Sequence, residues 1–226
     1  MLHALIDADI LIYRIGFATN NEPEDYAIRI MANFLEDILL IDLPEVQTWE
    51  LFLTGKGNFR YDYAETAPYK GNRTGAEKPK HYLLLREYLN LSWGADIVDG
   101  MEADDMLAIR ATEKGDDSVM VTLDKDLDQV VGWHYNFAKK LRYYITKDQG
   151  LLNFYKQFLV GDAVDNIKGV RGIGDKRAQK LLQDKTEHEM WSIVVEHLGE
   201  DRALENGRLL YMLRSLDDVF TPPELV

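Results

Sequence analysis

Between Gly161 and Leu182 the chain reads GDAVDNIKGVRGIGDKRAQKLL, and this stretch limits what the rest can fold into. Gly169, Gly172 and Gly174 fall so close together that no helix runs through them. A tight hairpin there leaves bare backbone N–H groups at the start of a second helix, Asp175 to Gln183. Such a helix end attracts a phosphate through its unpaired amides and its dipole. Lys176, Arg177 and Lys180 add positive charge just beyond it. On the near side, Asp162 and Asp165 are three apart, a spacing that on a helix presents two hard oxygen donors from one face. The stretch therefore predicts a metal-binding carboxylate pair beside a helix–hairpin–helix grip on a nucleic-acid backbone. The plainer alternative, an acidic turn and an ordinary helix, explains either half alone but not both together.

The remaining composition narrows the setting. A chain of 226 residues can bury a sizeable core. It has no cysteine, which excludes a disulfide framework and any thiolate metal site. Asp7 and Asp9 interrupt the apolar start, and no apolar run approaches the roughly 20 residues of a membrane helix. The expectation is a cytoplasmic protein without a signal peptide or membrane contact. A net charge of −13 argues against a broad basic surface, but not against a small basic track beside an acidic pocket.

In chain order, Leu2 to Ile6 reads as a buried strand ending at Asp7, followed by a helix to about Ala18. An acid at the carboxyl end of a first parallel strand lies where open α/β sheets place their ligands, although a helix cap accounts for it equally. Glu24 to Leu40 has helical periodicity with a broad apolar face, and Val46 to Leu53 suits a second strand. Thr54 to Arg73 reads as loop, with Lys56, Arg60, Lys70 and Arg73 as candidate phosphate contacts. Phe59, Tyr61, Tyr63 and Tyr69 there offer ring faces for unpaired bases. Lys78 to Leu91 is a helix, and Ala95 to Val98 a short strand. Glu102, Asp104 and Asp105 then open a helix to about Lys114, more acids than capping needs. Ser118 to Leu123 is another strand, ending in Asp124 and Asp126. Leu141 to Thr146 alternates like a strand, Lys147 to Val160 looks helical, and Thr186 to Leu198 and Arg202 to Leu213 are amphipathic helices. The last residues, with Pro222 and Pro223, read as a tail.

Eight acids thus fall into four groups: Asp7; Glu102, Asp104 and Asp105; Asp124 and Asp126; Asp162 and Asp165. Gathered in one pocket they repel or take up protons unless cations are present. Oxygen-only ligation favours Mg²⁺ or Mn²⁺ over zinc. Two such ions about 4 Å apart suit phosphodiester hydrolysis.

At this point the chain resembles the 5′ nucleases of the flap endonuclease type, which include bacteriophage exonucleases and the 5′-nuclease domain of bacterial DNA polymerase I. The matching pieces are LIDADILIYR, NFR, YKGNR, EADDMLA, TLDKDLDQ and GDAVDNIKGVRGIGDKRAQKLL, in family order from Leu5 to about Leu182. The resemblance implies an α/β fold: a three-layer, PIN-like nuclease core with a mostly parallel sheet and a helix–hairpin–helix (H3TH) appendage. The core would occupy residues 1–146, with an arch or loop region at 54–77, and the DNA-binding region residues 147–226. It implies a monomeric 5′-3′ exonuclease or flap endonuclease, bacterial or phage-encoded, acting on DNA, or an RNA–DNA hybrid, with a free 5′ end, flap or nick. Asp7, Glu102, Asp104 and Asp105 would serve a first Mg²⁺ or Mn²⁺ site; Asp124, Asp126, Asp162 and Asp165 would serve a second. Lys70 and Arg73 match catalytic basic residues near the scissile phosphate, and Tyr69 matches an aromatic that stacks on a terminal base. Arg60, Gly172, Gly174, Lys176 and Lys180 would contact DNA, with K⁺ at the hairpin.

Two departures stand out. Thr54 is nearest to where the family carries a further Asp, and the segment from Arg60 to Lys78 is short for a long helical arch. Exonuclease action on duplex ends is therefore expected to dominate over threading. A haloacid dehalogenase-type phosphatase, with Asp7 as nucleophile, leaves the EADD, DKD and glycine-hairpin pieces unexplained. A non-catalytic DNA-binding protein leaves the nearly complete acid set unexplained, and a small PIN-type RNase has no need of the hairpin.

Overall fold

The computed structural model describes residues 1–73 and 75–223. Residue 74 of the expected arch region and residues 224–226 of the expected DNA-binding region lie outside the described residues. The chain forms two compact units: Met1–Asn58, Glu77–Asp124 and Val131–Tyr144 make the first, and Phe59–Ala76, Lys125–Val130 and Ile145–Val226 the second. The loop after Asn58 and the segment after Asp124, which the sequence places in the core, thus group with the C-terminal helices.

In the first unit, β1 (Leu2–Asp7) leads into α1 (Ala8–Ala18) and α2 (Glu24–Glu36), whose end widens into a π-helical stretch at Asp37–Asp42. β2 (Val46–Thr54) follows, and the single-turn α3 (Arg60–Tyr63) belongs to the second unit. The first unit resumes with α4 (Tyr82–Trp93), β3 (Asp96–Val98), α5 (Ala103–Lys114), β4 (Ser118–Val121), β5 (Gly132–Asn136) and β6 (Leu141–Ile145). The sheet has six strands in the order β3-β2-β1-β4-β5-β6, and the pairs from β3 through β5 are parallel.

Strand alternation builds the layers. Ala4, Ile6, Leu51, Leu53, Val119 and Val121 share one core with buried residues of α1, α2 and α4. Leu5, Phe52 and Met120 alternate with them, and α5 packs across β1, β2 and β4. Ala4, Leu5 and Ile6 are all fully buried, as expected for a parallel strand covered on both faces. Sheet order reverses at β1: the chain moves outward to β2 and β3, then returns to β4 on the other side. In open α/β sheets this switch point is the ligand crevice, at the carboxyl ends of the strands.

In the second unit, α6 (Lys147–Val160) is followed by β7 (Gly161–Asp162), β8 (Ile167–Lys168), α7 (Asp175–Leu182), α8 (Glu187–Leu198) and α9 (Glu200–Leu210). Thr146 and Thr186 begin α6 and α8 with capping boxes closed by Gln149 and Glu189. Asp162 and Asp165 do not lie on a helix: β7 and β8 pair antiparallel, and the two acids sit at opposite ends of the turn between them. The reason is Gly161, which ends α6 at a φ of +75°. A Cβ at Gly161 would lie 2.2 Å from the Gly169 nitrogen, and one at Gly169 2.2 Å from the Val160 carbonyl carbon. Only paired glycines let the backbone cross itself there.

Just before Pro222 and Pro223 the chain is anchored by Phe220. Phe220 is 5% exposed and packs its ring against Phe154, Phe158, Trp191 and Tyr211. Gly207 makes room for it, since a Cβ there would come within 2.3 Å of that ring.

Candidate active site

The first unit gathers acids at the carboxyl edge of its sheet. Asp7 ends β1, is 4% exposed, and caps α1 by accepting the Ile10 N–H at 3.2 Å. The Thr122 hydroxyl, just past β4, donates to its other oxygen at 2.9 Å, and accepts the Asp124 N–H at 3.0 Å. One hydroxyl therefore ties the end of β1 to the start of the Asp124 turn. Burial pushes the Asp7 carboxyl up to about 7, with the charges of Asp9 and Asp124 adding to the rise and the Ile10 and Thr122 hydrogen bonds opposing it.

Glu102 and Asp105 open α5 as a capping box, in which Asp105 accepts the Glu102 N–H at 3.2 Å. Both are buried, at 7% and 0% exposed, whereas Asp104 between them is half-buried. Asn58 donates to Glu102 Oε1 at 2.9 Å. Thr54, at the end of β2, accepts the Ala103 N–H on its hydroxyl at 3.0 Å and so caps α5 itself. Three of the predicted ligands are thus also helix-capping residues, and their burial exceeds what a surface cap needs.

Sequence reasoning passed over one acid here. Asp9, in the first turn of α1, accepts the Thr54 N–H at 2.8 Å, and its other oxygen lies 3.7 Å from Arg86 Nη1. Burial raises its carboxyl, and the charge of Glu102 adds to that rise, while Thr54 and Arg86 oppose it. Arg86 also donates to the Thr54 carbonyl at 2.7 Å. The available signal was the Asp-x-Asp spacing, read as an interruption of the apolar start and as the Asp-x-Asp of the phosphatase alternative.

The second unit places the remaining residues differently. Asp165, 8% exposed, is bound up in local contacts. Arg73 pairs with one of its oxygens; the Tyr69 hydroxyl donates to the other at 2.8 Å, and Lys70 Nζ stands 3.6 Å from it. The Lys70 N–H donates to the Asp165 carbonyl at 2.9 Å, from a left-handed backbone with φ of +53°. Asn72 donates to the Ala163 carbonyl at 2.7 Å, and Asn166 to the Pro68 carbonyl at 2.9 Å. The loop carrying Lys70 and Arg73 is therefore buttoned onto the β7–β8 turn through Asp165. Asp162 accepts the Val164 N–H at 2.7 Å, and Asp126 accepts from Gln157 at 2.5 Å.

Two expected DNA contacts are corrected. Arg60 is 1% exposed and donates to the Leu209 and Tyr211 carbonyls, at 2.9 and 2.8 Å, closing the carboxyl end of α9. Its cation meets orphan helix carbonyls, so it has no path to a phosphate. Tyr69 is 4% exposed within the aromatic core, so its ring presents no open face; the exposed ring beside it is Tyr61. Gly172 has a φ of +83°, Gly174 precedes α7, and Gly172, Gly174, Lys176, Arg177 and Lys180 are exposed. Among the described residues, no three His, Asp or Glu side chains already converge closely enough to cage a metal ion.

No protein-family model matches the chain. It is 32% identical over 206 residues to DNA polymerase I of Bacillus caldotenax, covering 79% of this chain and 23% of that one. A 5′-3′ exonuclease of Buchnera aphidicola is 28% identical over 200 residues, covering 79% of this chain and 69% of that one. The chain thus spans about a quarter of the length of the polymerase relatives it matches. Its fold is that of the bacteriophage T5 5′-exonuclease, solved with zinc ions bound, at a TM-score of 0.70 and 20% identity over 93% of this chain and 89% of that one. The T5 flap endonuclease in a pseudo-enzyme–product complex with DNA and metal ions matches at a TM-score of 0.69 and 19% identity, over 95% and 89% of the two chains. With the sequence shared across about four fifths of its length and the fold across nearly all of it, the chain belongs to the 5′ nuclease, or flap endonuclease, family.

Proposed function

We propose that this chain is a divalent-metal-dependent 5′ nuclease that hydrolyses phosphodiester bonds near a free 5′ end of DNA. The observation that carries the reading is the buried acid group at the sheet's switch point: Asp7, Glu102 and Asp105, with Asp124 beside them. The donors are carboxylate and hydroxyl oxygens, the set that suits Mg²⁺ or Mn²⁺. Burial first, and then the charges of Asp9 and Asp124, raise the Asp7 carboxyl, so this oxygen donor stands in a desolvated and acidic setting. The donor chemistry fits a hard cation. When bound, such ions lower the pKa of water and stabilise an attacking and a leaving oxygen.

The chain's own residues do the rest. Asp7, Glu102, Asp104 and Asp105 hold the first ion, and Asp124 with the Asp126, Asp162 and Asp165 group is assigned to a second. Lys70 and Arg73 are assigned to the scissile phosphate, for which they must leave Asp165. Gly172 and Gly174 let backbone amides approach a duplex phosphate, Lys176 and Lys180 add charge, and K⁺ at the hairpin belongs to the same reading. A phosphatase that uses Asp7 as nucleophile is disfavoured, because that carboxylate is buried and accepts two hydrogen bonds.

The test is cleavage of 5′-labelled flap, nicked and blunt duplexes, and of the matching RNA–DNA hybrid, with Mg²⁺ or with EDTA. Cutting from the 5′ end with Mg²⁺ and none in EDTA is expected, with duplex ends preferred over long flaps. Full cleavage in EDTA, or faster hydrolysis of a small phosphomonoester, overturns the proposal.

A further inference from the structure

We infer that Asp9 is a further carboxylate of the first cation site, supplying from α1 the negative charge that Thr54 does not bring at the end of β2. The inference rests on the metal reading above and is argued from where Asp9 stands. Its Oδ2 lies 2.8 Å from the Thr54 nitrogen, so the Asp9 carboxylate occupies the mouth of the crevice at the carboxyl end of β2. It is also within electrostatic reach of both acid groups assigned to one ion. Its charge acts on Asp7, which ends β1, and the charge of Glu102, which begins α5, acts on it. Asp9 is thus the link between acids brought from two different elements.

Its partners hold it without using it up. Thr54 donates its N–H to Oδ2 and bonds Asp9 through its side chain as well, while its hydroxyl oxygen accepts from Ala103, so the residue that orients Asp9 also fixes the start of α5. Arg86 reaches Oδ1 only at 3.7 Å, an ion-pair distance rather than a hydrogen bond, and spends its Nη2 on the Thr54 carbonyl. A carboxylate oriented by the backbone and side chain of one threonine and by a more distant cation still keeps lone pairs for a metal or its bound water. A purely structural Asp9–Arg86 pair calls for short, two-pronged contact, the geometry in which Arg binds carboxylates most strongly.

Direct Mn²⁺ binding to the full chain without DNA, followed by electron paramagnetic resonance of the free ion, separates the possibilities. The variants are Asp7→Asn, Asp9→Asn and Arg86→Gln, each checked for thermal unfolding in EDTA. Asn at position 9 still accepts the Thr54 N–H, so the fold stays close to the parent. Asp9→Asn is expected to weaken Mn²⁺ binding about tenfold or more, a loss that even groups merely orienting ligands can cause. Arg86→Gln should move affinity the other way, about two- to fivefold tighter, because a competing positive charge beside Asp9 is gone. If Asp7→Asn weakens binding and Asp9→Asn does not, the inference is wrong and the metal reading stands. If neither changes binding, the metal reading itself fails. An affinity that falls in Arg86→Gln as it does in Asp9→Asn also overturns the inference, since the cluster then serves only to hold shape.

Discussion

Single residues in this chain often act against the role their type suggests. Arg60 is a cation that closes a helix rather than meeting DNA, and Tyr69 is an aromatic whose hydroxyl, not its ring, is used. Gly174 is the reverse case. Its φ of −101° is open to any residue, and a Cβ there meets nothing within 4 Å. Neither strain nor packing therefore requires a glycine, and the open space leaves room for close approach of a ligand at the start of α7. Gly174→Val is expected to fold with an unchanged Tm and to bind duplex about tenfold or more weakly in Ca²⁺, read by fluorescence anisotropy. Normal duplex binding by that variant would remove the hairpin from the DNA interface.

At the scale of elements, Asp165 ties the loop of α3 to the β7–β8 turn. Asp165→Asn leaves Arg73 and Lys70 facing a neutral amide, and the loop loses the charge-assisted Arg73 bond, worth up to about 1.5–3 kcal/mol, together with the looser Lys70 ion pair. The expected outcome is faster limited proteolysis within residues 59–76, measured beside an Asp124→Asn control that leaves this loop intact. Equal proteolysis of the two variants would show that Asp165 does not hold the loop. The comparison also bears on chemistry, because slowed cleavage by Asp165→Asn alone mixes a lost metal ligand with a displaced Lys70 and Arg73.

At the scale of the whole molecule, acid sensitivity has a traceable part. Glu50 on β2 is bound by Arg110 on α5 at 2.8 Å, with Lys114 and His3 also against it. The Arg110 hydrogen bonds bring the Glu50 carboxyl down to about 2 despite its partial burial. A lowered carboxyl stabilises the fold fully above the ordinary value of 4.5, and that contribution is lost as pH falls towards about 2. The urea midpoints of the parent and Arg110→Met should therefore differ most near pH 6 and converge towards pH 2.5. A gap independent of pH would show that the pair adds nothing through charge. Such local patterns were legible in the sequence. The apolar run Ala4-Leu5-Ile6, the helical periodicity from Lys147 and from Thr186, and Gly172 and Gly174 before α7 each depend on neighbours within a few residues. So did the grouping of acids at strand ends, because a parallel sheet puts every carboxyl end on one edge. What needed tertiary structure was every role set by a distant partner. Arg60 is buried by the carbonyls of Leu209 and Tyr211, and Phe220 by a pocket that Gly207 opens. Asp9 is aimed by the backbone of Thr54. Spacing along a chain fixes which face a side chain takes, whereas only the packed fold decides what stands opposite it.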